Sequence, residues 1–494
     1  MQATQQATQQ QAAQPAKDVS IGIIGGGMSG MLMAVKLLRA GKTNFKLFEK
    51  AKKVGGVWRE NRYPGVACDV ASFAYCYEFE PKADWSRRFS EGAEIQAYFE
   101  SVAKKYQLDK YAEFETSVAS AKFIDQQWHV TTDKGDTHQF DMLVDATGPL
   151  NKKLYPSIEG LDSFAGKLVH TADWDDDYDY SGKRIGLLGS GSSGVQATAP
   201  LAEKAAHLTT FIRTPQWVMP TPNPYYGGFS RYLKRKVPLL GTLTRKFYDW
   251  VGEMFGRASL YDGWQRKMVN WAVENNLNSI KDEALREKLR PDFQPMCRRM
   301  IVSETYYPAL QRDNVHVERA DIERIEPNGI RTKDGQLHEL DMLVLATGFK
   351  PNQWGVSDIT GPNGEKLTDI WQDEFTRNYR SISVPKLPNF FVLIGTNSPI
   401  TNLSLIDIAD IGVEYVLQCM RHIEQGKFTT MTPKQAAATQ FGSELATSFD
   451  GTAWVSGCTG WYTNGSELPQ TWPWLPAKFR DDLREPELSD YELV

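Results

Sequence analysis

Two short apolar runs, Ile21-Gly-Ile-Ile24 and Ile185-Gly-Leu-Leu188, each open onto three spaced glycines and then onto a stretch whose apolar residues recur at helical intervals. Continuous apolar runs of this length read as buried strands, so each unit predicts strand, glycine turn and helix in succession. A second pattern repeats downstream: the segment from Thr137 to Gly148, THQFDMLVDATG, recurs from Leu337 to Gly348 as LHELDMLVLATG, an offset of 200 residues. A glycine-containing turn precedes each copy (Asp133-Lys-Gly135 and Lys333-Asp-Gly335), which predicts a hairpin leading into a buried strand. The chain therefore carries two copies of one plan.

Between the copies, from about Gln216 to Pro295, the texture changes. Leu243, Phe247, Trp250, Val251 and Met254 have helical spacing, as do Trp264, Met268, Trp271 and Ala272. From Arg231 to Arg257 there are seven bases and two acids. The expected arrangement is a solvated basic face over a core stripe; contact with a membrane surface is the alternative.

The glycines give the repeat its chemistry. Gly25-x-Gly27-x-x-Gly30 and Gly189-x-Gly191-Ser192-x-Gly194 permit a tight turn, close backbone approach to a pyrophosphate and tight helix-to-strand packing, with the helix N-terminus facing the phosphates. The following strands distinguish the two sites. Glu49 ends one strand 19 residues after Gly30, and Arg213 ends the other 19 residues after Gly194. An acid there accepts hydrogen bonds from ribose hydroxyls, whereas an arginine pairs with a 2′-phosphate. The first site suits FAD or NAD and the second NADP.

Composition narrows the rest. The 494 residues are 41% hydrophobic and 24% charged, enough for several packed domains. The net charge of −5 sits in the last fourteen residues, Asp481 to Val494, which hold six acids and one base. The remainder is formally neutral, so nucleic acid is not an expected partner. Residues 1–17 read as a disordered Gln/Ala/Thr tail without a leader, and the longest apolar stretch, Ile21 to Val35, is too short to span a bilayer. A soluble, cytoplasmic protein is expected. Cys68, Cys76, Cys297, Cys419 and Cys458 are scattered and form no C-x-x-C pair, which argues against a disulfide framework, a metal site or a dithiol redox centre and favours a reducing compartment. No G-x-S-x-G elbow is present, so a hydrolase is not expected.

Two dinucleotide sites imply hydride transfer from NADPH to a flavin and then to an acceptor, with oxygen favoured over a dithiol. The segment Phe164-x-Gly166-x-x-x-His170-x-x-x-Trp174-Asp175 resembles the fingerprint of the type I Baeyer-Villiger monooxygenases. The resemblance covers nearly the whole chain after the tail. It implies insertion of one oxygen of O2 beside a ketone carbonyl through a peroxyflavin, with NADP+ retained; N- or S-oxidation is the alternative. Gly55-Gly56-Val-Trp58, Tyr63 and Cys68-Asp69 are similar to a flavin-contacting segment, and Arg298-Arg299 to the block carrying the catalytic arginine.

On that resemblance Arg299 and Asp69 are catalytic. Arg298, Arg213 and Thr214 bind NADP, Trp58 and Tyr63 face cofactor, and Trp461 contacts the nicotinamide. Gly460 and Trp474 depart from residues common in the family, serine and glycine respectively. A planar, permanently protonated guanidinium suits Arg299 to anionic oxygen, and a carboxylate such as Asp69 can hold it. His170 is expected to act as a structural hinge and not in proton transfer.

The expected fold is α/β: two Rossmann-like dinucleotide-binding domains with a helical insertion. The expected bounds are 18–150 and 341–494 for FAD, 151–216 and 296–340 for NADP, and 217–295 for the insert. The active site is expected between the domains.

Overall fold

The computed structural model describes residues 17–350, 358–458, 460 and 468–494. In its first half β1 (Ile21–Ile24) is buried along its whole length, because β2 (Phe45–Phe48) and β4 (Met142–Asp145) pair with it in parallel on either side. β3 (Ala112–Glu113) extends the sheet beyond β2, and β10 (Phe390–Val392) extends it beyond β4, giving the order β10-β4-β1-β2-β3. α1 (Met28–Arg39) buries every residue from Met28 to Val35 against this sheet and against α7 (Leu405–Glu424).

The second sheet repeats the first. β6 (Arg184–Leu188) lies between β7 (His207–Phe211) and β9 (Met342–Leu345), with β8 (Val315–Glu318) outside β7 and β5 (Lys167–His170) outside β9. Even the register is kept: Ile21 pairs with Met142 as Ile185 pairs with Met342. α2 (Ser192–Lys204) follows β6 as α1 follows β1. Each sheet is covered on one face by an antiparallel meander, Val118–Ile124 to Thr137–Phe140 on the first and Ile322–Glu326 to Leu337–Glu339 on the second.

Three expectations change. The boundary placed at residue 341 falls one strand early: β9 is hydrogen-bonded between β6 and β5, so it completes the second sheet just as β4 serves the first. The chain returns only after Gly348, beside the outgoing strand. Leu154 N–H donates to Gly348 O (2.9 Å) and Lys350 N–H to Lys152 O (2.8 Å), so the two linkers run antiparallel. Of the tail, residues 1–16 lie outside the described residues. Lys17 is held, its ammonium 2.8 Å from Asp141 and its N–H bonded to Glu424 O.

The insert is helical as expected: α3 (Gly228–Lys236), α4 (Pro238–Leu260), α5 (Trp264–Leu277) and α6 (Glu283–Lys288), the last capped by the Asp282 carboxylate. Most of its expected apolar stripes face outward, however, with only Val251, Met254 and Ala272 half-buried. Leu243, Phe247 and Trp250 on α4 and Trp264, Met268 and Trp271 on α5 are exposed, while α5 buries Arg266, Val269, Val273 and Leu277 instead. Spacing assigns residues to one face but not the direction it points, and α5 has apolar residues on two faces.

α4 is tied to the first domain by Arg245, whose Nη2 donates to Asp407 Oδ1 at 2.8 Å and whose Nη1 donates to the Cys76 carbonyl at 3.2 Å. Burial raises the Asp407 carboxyl to about 6, with Arg245 opposing the rise. An unfolded aspartate titrates near 3.9, so between those values the folded state binds the proton more tightly and stability falls as pH rises through 6. Thermal or urea unfolding of the native chain should therefore gain about 1–2 kcal/mol relative to Asp407→Asn as pH is lowered from about 7 to about 5. Parallel pH profiles for the two would show that Asp407 is not so perturbed.

Candidate active site

The two glycine turns have one geometry. Gly25 and Gly189 have φ of +102° and +118°, in the left-handed region that a side chain resists. Gly27 and Gly191 precede their helices with φ of −74° and −72°. A Cβ on Gly30 would lie 1.9 Å from Gly25 O, and one on Gly194 would lie 2.2 Å from Gly189 O, so in both cases helix and turn approach too closely for any side chain. The first-turn N–H groups of each helix are left facing outward at the end of the sheet, the arrangement that receives a pyrophosphate. Ser192 is the first residue of α2. Gly56, at φ +53°, faces Gly27 across the first turn.

Glu49 and Arg213 end their strands at matching places in opposite environments. Glu49 is buried, and its Oε2 accepts from Gly26 N–H (2.8 Å) while Oε1 accepts from Ala51 N–H (2.9 Å) and Arg59 Nη1 (3.1 Å). Arg213 is exposed. Thr214 follows it, and the Thr214 carbonyl accepts from Ser190 Oγ at 2.7 Å, which closes the glycine loop against this strand end. Arg298 lies near Arg213: burial lowers its pKa, Asp292 opposes that, and the like charge of Arg213 adds to it. Its guanidinium stacks 4.5 Å from the Phe293 ring, and its buried Nε has no hydrogen-bond partner among the described residues. Two converging guanidinium groups, one with an unsatisfied donor, suit a phosphate.

Arg299 and Asp69 meet across 230 residues of chain. Arg299 Nε and Nη2 both reach Asp69 Oδ2, at 2.8 and 2.7 Å, and Nη1 donates to the Ile400 carbonyl at 3.3 Å. Asp69 follows the buried Cys68, whose thiol is pushed up chiefly by burial and is therefore unreactive.

The cysteines overturn an expectation. Cys297, immediately before the two arginines, forms a disulfide with Cys458, 161 residues away. Local spacing detects only pairs close in sequence, and this pair is made by the fold; the reducing-compartment reading built on spacing loses its basis. The bridge brings Gly460 against Arg298: a Cβ there would lie 3.2 Å from Arg298 Cγ, so a serine would press on that side chain. Trp474, the other departure, packs edge-on against Trp472 at 4.8 Å. Trp461 lies outside the described residues.

Of the two aromatics expected to face cofactor, Trp58 donates from Nε1 to Tyr75 OH at 3.0 Å. Tyr63 is buried in the core of the second domain, where its hydroxyl donates to Gln196 Oε1 of α2 at 2.7 Å and burial pushes its pKa up to about 12. Gln196 Nε2 in turn donates to Ala67 O at 2.9 Å, and a Cβ on Gly65 would strike Gln196 O at 2.5 Å. Tyr63 thus clasps the two domains together. Gln196 carries no sequence signal for this role.

Of the fingerprint residues, His170 and Trp174 reach the domain junction, while Phe164, Gly166 and Asp175 make their contacts within the second domain. His170 is buried; its Nδ1 accepts from Ala172 N–H at 3.1 Å, which leaves the proton on Nε2 for donation to Gly348 O at 3.2 Å. Burial lowers its pKa, so the neutral ring is favoured. Gly166 passes so close to Asp341 O that a Cβ would lie at 2.6 Å, and Phe164 packs against the Ile325–Ile330 cluster. Trp174 is buried edge-on to Tyr180, and its carbonyl accepts from Arg62 Nη2 at 3.1 Å. Asp175 pairs with Lys167 and accepts from Asp177 N–H at 3.1 Å.

Residues 16–354 match the family profile described as flavin-binding monooxygenase-like. An uncharacterised monooxygenase of Mycobacterium tuberculosis is 40% identical over 96% of both chains. A Baeyer-Villiger monooxygenase of Streptomyces coelicolor is 35% identical over 96% of this chain and 93% of its own. Among solved structures, OTEMO in complex with FAD and NADP is 27% identical and superposes with a TM-score of 0.86, covering 96% of this chain and 99% of its own.

The Cys297–Cys458 tie leaves Cys68, Cys76 and Cys419 as free thiols. Alkylation of the denatured, unreduced chain should modify three cysteines, and five after reduction. Five before reduction would remove the tie.

Proposed function

The chain belongs to the flavin-binding monooxygenase-like family, and from that premise we propose that it is a Baeyer-Villiger monooxygenase that uses NADPH, O2 and FAD to convert a ketone to an ester or lactone. FAD is assigned to the first glycine turn with Glu49, in the domain of residues 18–150 and the chain after about 350. NADP is assigned to the second turn with Arg213, Thr214 and Arg298, in the domain of residues 151–216 and 296 to about 346. The observation that carries the reading is the Arg299 fork held by Asp69 between the two domains.

Bound FAD, once reduced by NADPH, supplies the activated oxygen. The chain's own residues hold and polarise. Arg299 keeps a permanent positive charge where negative charge develops on oxygen during insertion, and it cannot compete as an acid because its proton is not released. Asp69 accepts from Nε and Nη2 and fixes the plane of the fork, and Nη1 donates to the Ile400 carbonyl. Arg213 and the unsatisfied Nε of Arg298 select a 2′-phosphate, which is why NADPH is favoured over NADH. His170, neutral and bonded to Gly348 O, is a positioning residue: it holds the return linker against the edge of the second sheet and so sets how the domains face each other.

The test is product identity under ¹⁸O2. The purified flavin-loaded protein, given NADPH and a panel of cyclic, linear and aryl ketones together with a thioether, should form an ester or lactone carrying one ¹⁸O atom. Sulfoxide from the thioether with no ester from any ketone would overturn the assignment in favour of heteroatom oxidation.

A further inference from the structure

The outward-facing stripe of the insert is left uncovered by the described residues. On α4, Leu239, Leu243, Phe247 and Trp250 follow one another at i, i+4, i+8 and i+11 and are all exposed, Trp250 at 55%. On α3, Phe229 (78%), Tyr232 and Leu233 are exposed as well. The two helices meet along a shallow cleft of about 370 Å³, lined by Leu233, Leu240, Leu243 and Phe247 among others, so these side chains belong to one surface. Soluble monomers seldom leave so many large apolar side chains together in water.

Charge says what covers it. The same stretch, Arg231 to Arg257, has seven bases against two acids in a chain whose net charge is −5. Some of these bases are committed to the fold: Arg245 to Asp407, Arg231 to the Asp84 carbonyl, and Lys234 to the rings of Phe73 and Tyr226 at 4.3 and 4.0 Å. Arg235, Lys236 and Lys246 stand exposed beside the apolar stripe. A second copy of the chain seated by twofold symmetry would set this basic face against an identical basic face, which is repulsive. An anionic surface is complementary to both features at once.

We propose that α3 and α4 form a docking face for an anionic lipid bilayer, on which the protein lies with Phe229, Leu239, Leu243, Phe247 and Trp250 in the headgroup–acyl boundary and Arg235, Lys236 and Lys246 at the phosphates. The helices lie on the surface and do not cross it: no helix among the described residues is long and apolar enough to span a membrane. At 23 residues α4 is about 34 Å long, which gives an extended line of contact. Arg245 on Asp407 at 2.8 Å and Tyr248, whose hydroxyl accepts from Arg88 Nε at 3.0 Å, hold α4 to the first domain.

Flotation of the flavin-loaded full chain with vesicles tests this. Binding is expected to phosphatidylcholine vesicles containing phosphatidylglycerol, to weaken as salt is raised, and to be at least tenfold weaker on phosphatidylcholine alone. Phe247→Glu/Trp250→Glu should reduce binding at least tenfold while flavin content and NADPH oxidation remain, because neither side chain is buried. Arg235→Ala/Lys236→Ala should lower binding mainly at low salt. Failure of the native chain to float with phosphatidylglycerol vesicles, or undiminished flotation of the aromatic variant, would overturn the proposal. So would a native dimer in sedimentation velocity that Phe247→Glu/Trp250→Glu converts to monomer, since the face would then be covered by a second copy.

Discussion

Arg299 and Asp69 are 230 residues apart in sequence and meet side chain to side chain, a contact that depends on how the two domains are held together. Asp69 belongs to the segment that follows the first glycine turn, whereas Arg299 follows the helical insert, next to the short strand Ile301–Val302 that pairs with Val218–Met219. A guanidinium with two donors on one carboxylate oxygen tolerates little displacement, because such bonds weaken steeply with distance and angle. The relative placement of the two domains must therefore be held by other contacts. Tyr63 on Gln196, Arg62 on the Trp174 carbonyl, and His170 on Gly348 O are three of them, all between the first domain or its linker and the second domain.

The duplication explains the rest economically. One β-turn-α plan, used twice with the same strand register and the same glycine approach, provides two phosphate-binding ends. Their difference is carried by single charges at the strand ends. Glu49 is buried and accepts from two backbone N–H groups and Arg59, so its carboxylate is already fixed in place. Arg213 is exposed, and Arg298 beside it has a donor unmet, so that site has positive charge waiting for an anion. The disulfide from Cys297 to Cys458 adds a covalent link from this cationic cluster to the C-terminal loop, where Gly460 lies against Arg298.

What could be read from the sequence was whatever depends on local pattern. The glycine turns, the repeated hairpin-and-strand and the opposed charges at positions 49 and 213 are properties of a few consecutive residues or of a repeat. What could not be read depends on direction or on distant partners. Spacing put Leu243, Phe247 and Trp250 on one helical face but not on the outside of the molecule. Tyr63 gave no hint of Gln196, nor Cys297 of Cys458, because those pairs exist only after the chain has crossed between domains and returned. The strand Met342–Leu345 was assigned to the wrong domain although its counterpart, Met142–Asp145, already indicated the second sheet. Asp69 and Arg299 were linked in the sequence only through resemblance; their contact is a product of the fold.

The central claim is that the Arg299 fork acts on oxygen insertion and not on the preceding hydride transfer. Stopped-flow comparison of Arg299→Ala with the native, flavin-loaded protein separates the two. Flavin reduction by NADPH should stay within a few-fold of native while ester formation from ketone falls by roughly a hundredfold or more, in line with loss of a preorganised charge donor. Ester formation at the native rate in Arg299→Ala, or loss of flavin reduction in equal measure, would contradict it.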